Sequence, residues 1–277
     1  MDNNSSLSPT RVGAKEFRWG ERTFIMGILN LSSDSFSGDG LGNDMPAIID
    51  KAQSLAAEGA DIIDIGGEST RPASQPITAE EELRRIIPVI ERLASELSVP
   101  LSVDTYKPAV AARALKAGAN LINDVWGLQA DPAMGQVVVE AGVPIIIMSN
   151  QRGRTIRHDI MTETISSLEK SLVLAEAAGI LEQNIIIDPG IGFGKSEAQN
   201  LEVIRRLSEL KVLAKPVLVG VSRKFKTGDT AATIAIAISN GADIVRVHDV
   251  KQMVRITRMS DAITRNLSRE KPRETTR

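Results

Sequence analysis

Apolar residues recur along this chain in short runs that close on a polar residue or a glycine. Between the runs lie longer stretches whose apolar positions repeat every three or four residues, so the pattern alternates strand with helix. The runs predict strands over 24–31, 61–66, 101–104, 121–125, 144–148, 185–188, 216–221 and 243–247. They are apolar on both faces, as parallel strands covered by helices must be. The clearest helix spans 78–97, where Thr78 and Glu81 have capping-box spacing and Leu83, Ile86, Ile87 and Ile90 make a stripe. Other helices are predicted to begin near Met45, Lys107, Asp131, Asp159, Ser196, Thr230 and Val250.

A faint repeat supports a regular wind. Glu-Gly-Ala-Asp-Ile-Ile-Asp at 58–64, Ala-Gly-Ala-Asn-Leu-Ile-Asn-Asp at 117–124 and Asn-Gly-Ala-Asp-Ile-Val-Arg at 240–246 each place a helix-capping glycine just before a strand. Eight strand–helix units favour a closed α/β barrel of the TIM (β/α)8 type over an open doubly wound sheet. The barrel is expected over 23–267 as a single domain, after an N-terminal tail and lead-in (1–22) and before a polar, basic tail (268–277). Met1 to Thr10 reads as solvated tail.

Composition narrows the chemistry. The 277 residues are 42% apolar with only five Phe, two Trp and one Tyr, so the core must be aliphatic and few aromatics remain to stack on bases. A net charge of −2 argues further against nucleic acid or a membrane surface as partner. No cysteine is present, which excludes disulfides, thiolate metal sites and a Cys nucleophile. With no secretion signal and no long apolar run, a cytoplasmic protein is expected.

In a barrel the chemistry gathers where the strands end. Asn30 closes the first predicted strand before a Gly- and Ser-rich stretch carrying Asp34, Phe36 and Asp39, which has the makings of a closing loop. The second strand leads into Gly66-Gly-Glu-Ser-Thr-Arg-Pro72, where backbone amides, Thr70 and Arg71 can hold an anion. Lys224, Arg246 and His248 bring further cationic groups to the same end. Asp104, Asn123 and Asp188 end three more strands, and buried acceptors of this kind call for a ligand rich in donors, such as a flat nitrogen heterocycle. Gly190-Ile-Gly-Phe-Gly-Lys195 misses the phosphate-loop spacing by one residue, because Pro189 stands where its first glycine should be. It reads as a turn, with Phe193 available as a wall; His158 reads as surface.

Gly27-Ile-Leu-Asn30, Asp34-Ser-Phe-Ser37, Asp64-Ile-Gly-Gly-Glu-Ser-Thr-Arg-Pro72, Ser102-Val-Asp-Thr105, Ile122-Asn-Asp124, Asp188-Pro-Gly-Ile-Gly-Phe-Gly-Lys195, Ser222-Arg-Lys224 and Arg246-Val-His-Asp-Val250 together resemble the dihydropteroate synthase family, in order and across nearly the whole barrel. The resemblance implies a transferase that condenses 6-hydroxymethyl-7,8-dihydropterin diphosphate with p-aminobenzoate, releasing diphosphate, in folate synthesis. It places the pterin on Asp104, Asn123, Asp188, Lys224 and Arg246. The diphosphate would lie on Asn30, Thr70, Arg71, Arg246 and His248, with magnesium at Asn30. Phe36, Phe193, Ser222 and Lys224 would form the p-aminobenzoate site. Lys224, Arg246 and Asp104 would be catalytic, and a homodimer would form through the late helices.

The chain departs from the family pattern in places. Leu31-Ser-Ser33 stands where Val-Thr-Pro is usual, Gly38 displaces the loop aspartate to Asp39, Ser149 follows Met148 where His is usual, and Ala73 replaces Gly. The segment after Lys224 is short, so Thr230 opens its helix almost at once. The altered first loop and the short segment keep open a pterin-binding homologue with reduced or no turnover. Kinship of fold, with a shared Asp104, Asn123 and Asp188 type of pocket, keeps open a second alternative, a pterin-dependent methyltransferase. The second would have no use for the cationic cluster.

Overall fold

The computed structural model describes residues 7–31, 44–69, 74–156, 158–221 and 230–265. A short antiparallel hairpin, β1 (Thr10–Val12) and β2 (Lys15–Phe17), leads into eight parallel strands: β3 (Phe24–Asn30), β4 (Ile62–Gly66), β5 (Leu101–Asp104), β6 (Leu121–Asp124), β7 (Ile145–Met148), β8 (Ile185–Asp188), β9 (Leu218–Val219) and β10 (Ile244–Val247). The helices between and after them are α1 (Met45–Ala57), α2 (Ala79–Glu96), α3 (Pro108–Ala117), α4 (Ala133–Ala141), α5 (Ile160–Ala178), α6 (Glu197–Arg205), α7 (Thr230–Ser239) and α8 (Val250–Thr264). The sheet runs β8-β7-β6-β5-β4-β3-β10-β9, and a parallel bridge between Ile187 and Val217 joins its two edges. This is the (β/α)8 barrel that the periodicity predicts. β9 is the shortest of its strands: regular pairing with β10 covers only Leu218 and Val219.

The helix ends follow from local sequence. Thr78 caps α2 by accepting from the Glu81 amide, but the capping box is only half made, because the Glu81 carboxylate turns instead to Arg84 and Arg85. Ser196 and Gln199 complete a full box at α6. Gly59, Gly118 and Gly241, the glycines of the internal repeat, all have the positive φ of a helix C-terminus.

Side chains alternate between two cores. Outward residues such as Ile63, Ile65, Val103, Ile122, Ile147, Ile187, Val245 and Val247 pack under the helices. Inward residues Met26, Ile62, Leu121, Ile146, Ile186, Leu218 and Ile244 fill the lower lumen, where Val12, Phe17, Trp19 and Phe24 join them. The expected solvated tail therefore stops short of Thr10. That residue is fully buried: its hydroxyl donates to the Gln183 carbonyl (2.6 Å) and accepts from the Trp19 indole (3.1 Å). The hairpin stoppers the N-terminal end of the barrel with aromatics, a role that the sequence pattern does not reveal.

Candidate active site

Two residues above the apolar floor the lumen turns polar. Arg246 on β10 reaches across β3, its Nε donating to Asp64 on β4 (2.6 Å) and its Nη2 to Asp104 on β5 (2.7 Å). Asn123 on β6 donates its amide to the same Asp64 oxygen (3.0 Å). Burial alone would lower the Arg246 pKa, but the Asp64 and Asp104 charges outweigh it and hold the guanidinium above its ordinary value. Asp188 ends β8, is buried, and accepts the Gly190 amide (2.7 Å). Asp104, Asn123 and Arg246 are thus brought into one hydrogen-bonded group, and Asp188 lies close enough for its charge to act on Arg246.

The group is rich in acceptors. Three carboxylates surround one guanidinium, and neither the Oδ1 of fully buried Asp64 nor the Oγ of Ser102, its cross-strand neighbour, has a hydrogen-bond partner among the described residues. Buried polar atoms left without partners cost about 1–3 kcal/mol each, so the lumen favours a ligand that donates hydrogen bonds. Above this layer Val125, Met148 and Phe193, with Tyr106 and Trp126 alongside, make an apolar rim. The Arg152 guanidinium lies 4.4 Å from the Phe193 ring centroid.

A family model described as pterin binding enzyme matches residues 26–248. A dihydropteroate synthase of Clostridium beijerinckii is 43% identical over 92% of this chain and 99% of its own length. The chain belongs to the dihydropteroate synthases. Another member, from Bacillus subtilis, is 46% identical over 88% of this chain and 89% of its own length. Among solved structures, a dihydropteroate synthase from Clostridium difficile, described in the presence of pteroic acid, superposes with a TM-score of 0.85 at 46% identity, covering 90% of this chain and 99% of that one. A Xanthomonas albilineans dihydropteroate synthase in complex with 7,8-dihydropteroate gives a TM-score of 0.80 at 35% identity, over 92% and 98%.

Within this dihydropteroate synthase barrel, other expected positions fall as follows. Asn30 is half-buried at the tip of β3, its amide oxygen beside Gly66. His248 is half-buried just past β10. Phe36, Thr70, Arg71, Ser222 and Lys224 lie outside the described residues, as do Asp34 and Asp39. Among the described residues no group of three or more His, Asp or Glu is placed to hold a metal. An isolated amide oxygen such as that of Asn30 fits a magnesium ion carried mainly by substrate phosphates and water.

Two features escape the sequence reading. Asp64 stands inside the run Ile62-Ile-Asp-Ile65 with no turn nearby, yet it is the hub of the lumen network. Glu68 anchors the start of the loop after β4: Lys107 bridges it to buried Glu82, the Tyr106 hydroxyl donates to it (3.0 Å), and the Ile77 amide reaches it from the far side (3.2 Å). Arg85 adds a bond to the Gly67 carbonyl (3.0 Å). Burial pushes the Glu82 carboxyl above its usual value, against the pull of Lys107. On the next strand, burial raises Asp124 to about 6, although it accepts backbone amides from Trp126 and Leu128 that shape the following turn.

Proposed function

We propose that this chain catalyses the family reaction: the arylamine of p-aminobenzoate attacks the exocyclic methylene of 6-hydroxymethyl-7,8-dihydropterin diphosphate. A C–N bond forms, the C–O bond to diphosphate breaks, and the amine proton leaves to water. The observation that carries this reading is the acceptor-rich layer made by Asp64, Asp104, Asn123 and Arg246 above a closed apolar floor. A pterin offers that layer a flat ring with N–H and amino donors.

In this reading Asp104, Asn123 and Asp188 orient the ring, and Arg246, locked between Asp64 and Asp104, presents a rigid cation to the breaking bond. Positive charge held ready at the leaving oxygens is worth roughly 3–4 kcal/mol per well-placed donor, by analogy with oxyanion holes. His248 and Asn30 at the strand tips would share the diphosphate with Thr70 and Arg71. Magnesium, carried on the diphosphate at Asn30, would neutralise the departing charge. The arylamine is already neutral near pH 7, so no strong base is required; holding it in line with the methylene supplies the rest. Phe193 would wall its ring, with Phe36, Ser222 and Lys224 completing the site.

The homodimer belongs to the same proposal. Its support is the apolar residues that the barrel leaves exposed on the last helices, Ile236 on α7 with Met259 and Ile263 on α8. No helix among the described residues is long and apolar enough to cross a membrane.

The test is turnover. Purified chain supplied with the pterin diphosphate, p-aminobenzoate and magnesium should release 7,8-dihydropteroate and diphosphate in equal amounts. Substrate binding without product would contradict the reading and leave a pterin-binding homologue.

A further inference from the structure

The loops after β7 and β8 do not stand apart. The Ser149 amide donates to the Asp188 carbonyl (2.9 Å) and the Gln151 amide to the Phe193 carbonyl (3.2 Å). Two glycines allow this approach. A Cβ on Gly190 would fall 2.1 Å from the Ser149 oxygen, and one on Gly194 2.2 Å from the Gln151 carbonyl carbon, distances no side chain tolerates. Lys195 closes the seam. It is 9% exposed, and its Nζ donates to the carbonyls of Ser149 (3.2 Å) and Gly190 (3.1 Å), one in each loop. Behind it, Asn200 of α6 accepts the Gly192 amide (2.8 Å) and donates to the Lys195 carbonyl (3.3 Å). Phe193 lies inside this clasp, two residues before Lys195, with Arg152 of the other loop over its ring.

A cation so buried is costly to hold unless bound. Burial indeed drives the Lys195 ammonium down to about 8, against the pull of Asp188. An apolar side chain could fill the same space without that cost, so the cation is present for the two carbonyls it joins.

We propose that Lys195 is a positioning residue for p-aminobenzoate: by holding the two loops together it fixes the Phe193 ring, and so sets affinity for the arylamine and not for the pterin. This rests on the functional reading above, since it takes Phe193 as the arylamine wall. Asp64, Asp104, Asn123 and Arg246 of the pterin layer hang on strands β4, β5, β6 and β10, outside the clasp. Asp188 on β8 alone borders it, held there by its own strand, so the arylamine should respond more than the pterin.

Steady-state kinetics of the full chain with each substrate varied decides the matter. Lys195→Met keeps the unbranched stem and deletes the cation; it should raise KM for p-aminobenzoate about tenfold while KM for the pterin diphosphate stays within about twofold. Phe193→Leu should raise the same KM, and adding Lys195→Met to it should do little more, because the lysine acts through the ring. Equal shifts in both KM values, no shift at all, or an undiminished lysine effect in the Phe193→Leu background would overturn the proposal. Should Lys195→Met fail to fold, Lys195→Arg carries the same comparison: a selective rise for the arylamine supports the clasp, and an unchanged ratio of the two KM values overturns it. A wild-type chain that makes no product would sink the functional reading alone. Calorimetric titration of p-aminobenzoate into the same variants would then test the clasp by the same selectivity.

Discussion

The two ends of this barrel are built from the same strands and obey opposite rules. At the N-terminal floor the inward positions are Met26, Ile62, Leu121, Ile146, Ile186, Leu218 and Ile244, sealed by the Phe17, Trp19 and Phe24 rings. Phe17 sits 4.7 Å from Phe24 and 6.1 Å from Trp19, centroid to centroid. Two residues further along β4, β6, β8 and β10, a rise of about 6.6 Å in a parallel strand, the inward positions become Asp64, Asn123, Asp188 and Arg246. One layer stabilises by burying carbon. The next holds two carboxylates, an amide and a guanidinium largely out of water, which adds little stability once desolvation is counted. The difference separates the work of the fold from the work of the site: the floor keeps the barrel closed, and the strand ends are free to carry charge that a core would reject.

That division breaks or sharpens under substitution. The largest effect is expected at Arg246, where both kinds of cost meet. Arg246→Ala removes the cation that Asp64 and Asp104 share, and should lower kcat/KM by at least about a thousandfold. It should also cost about 3–5 kcal/mol of stability, because buried Asp64 is left without its ionic partner. Product formation and urea denaturation read the two losses separately, and unimpaired turnover in a folded variant would remove Arg246 from the mechanism. Phe17→Ala should come next, at about 3–5 kcal/mol of stability and with no comparable loss of function. Thermal unfolding should show the loss, while kcat/KM below the transition stays within about twofold of wild type. A site that fails along with the floor would show that the two layers are coupled and that the division drawn here is false.

The sequence discloses these layers unequally. Strands and helix starts are legible because a parallel strand buried on both faces must be a continuous apolar run, and because Thr78, Asp159, Ser196 and Asp249 announce their helices through side-chain caps. Asp104, Asn123 and Asp188 are legible as polar residues that end such runs. Asp64 is not, because it interrupts a run instead of ending it, and its partner Arg246 lies 182 residues away. The floor hairpin is hidden for another reason. Its strands are three residues each, too short for alternation to register, and what fixes them is contact with a barrel that forms later in the chain. Lys195 looks like the end of a glycine turn until the β7 loop is seen folded against it. Phe193 is legible as an available wall in a glycine-rich turn, but which substrate it would face is implied only by the family resemblance.

The central claim is that the acceptor layer, and not the rim or the floor, grips the pterin. Calorimetric titration of 6-hydroxymethyl-7,8-dihydropterin diphosphate into wild type, Asp188→Asn and Phe17→Ala tests it most directly. Replacing the buried carboxylate turns one of its acceptors into a donor and should weaken binding at least about tenfold, with the floor variant holding wild-type affinity. Equal affinity for wild type and Asp188→Asn would contradict the account.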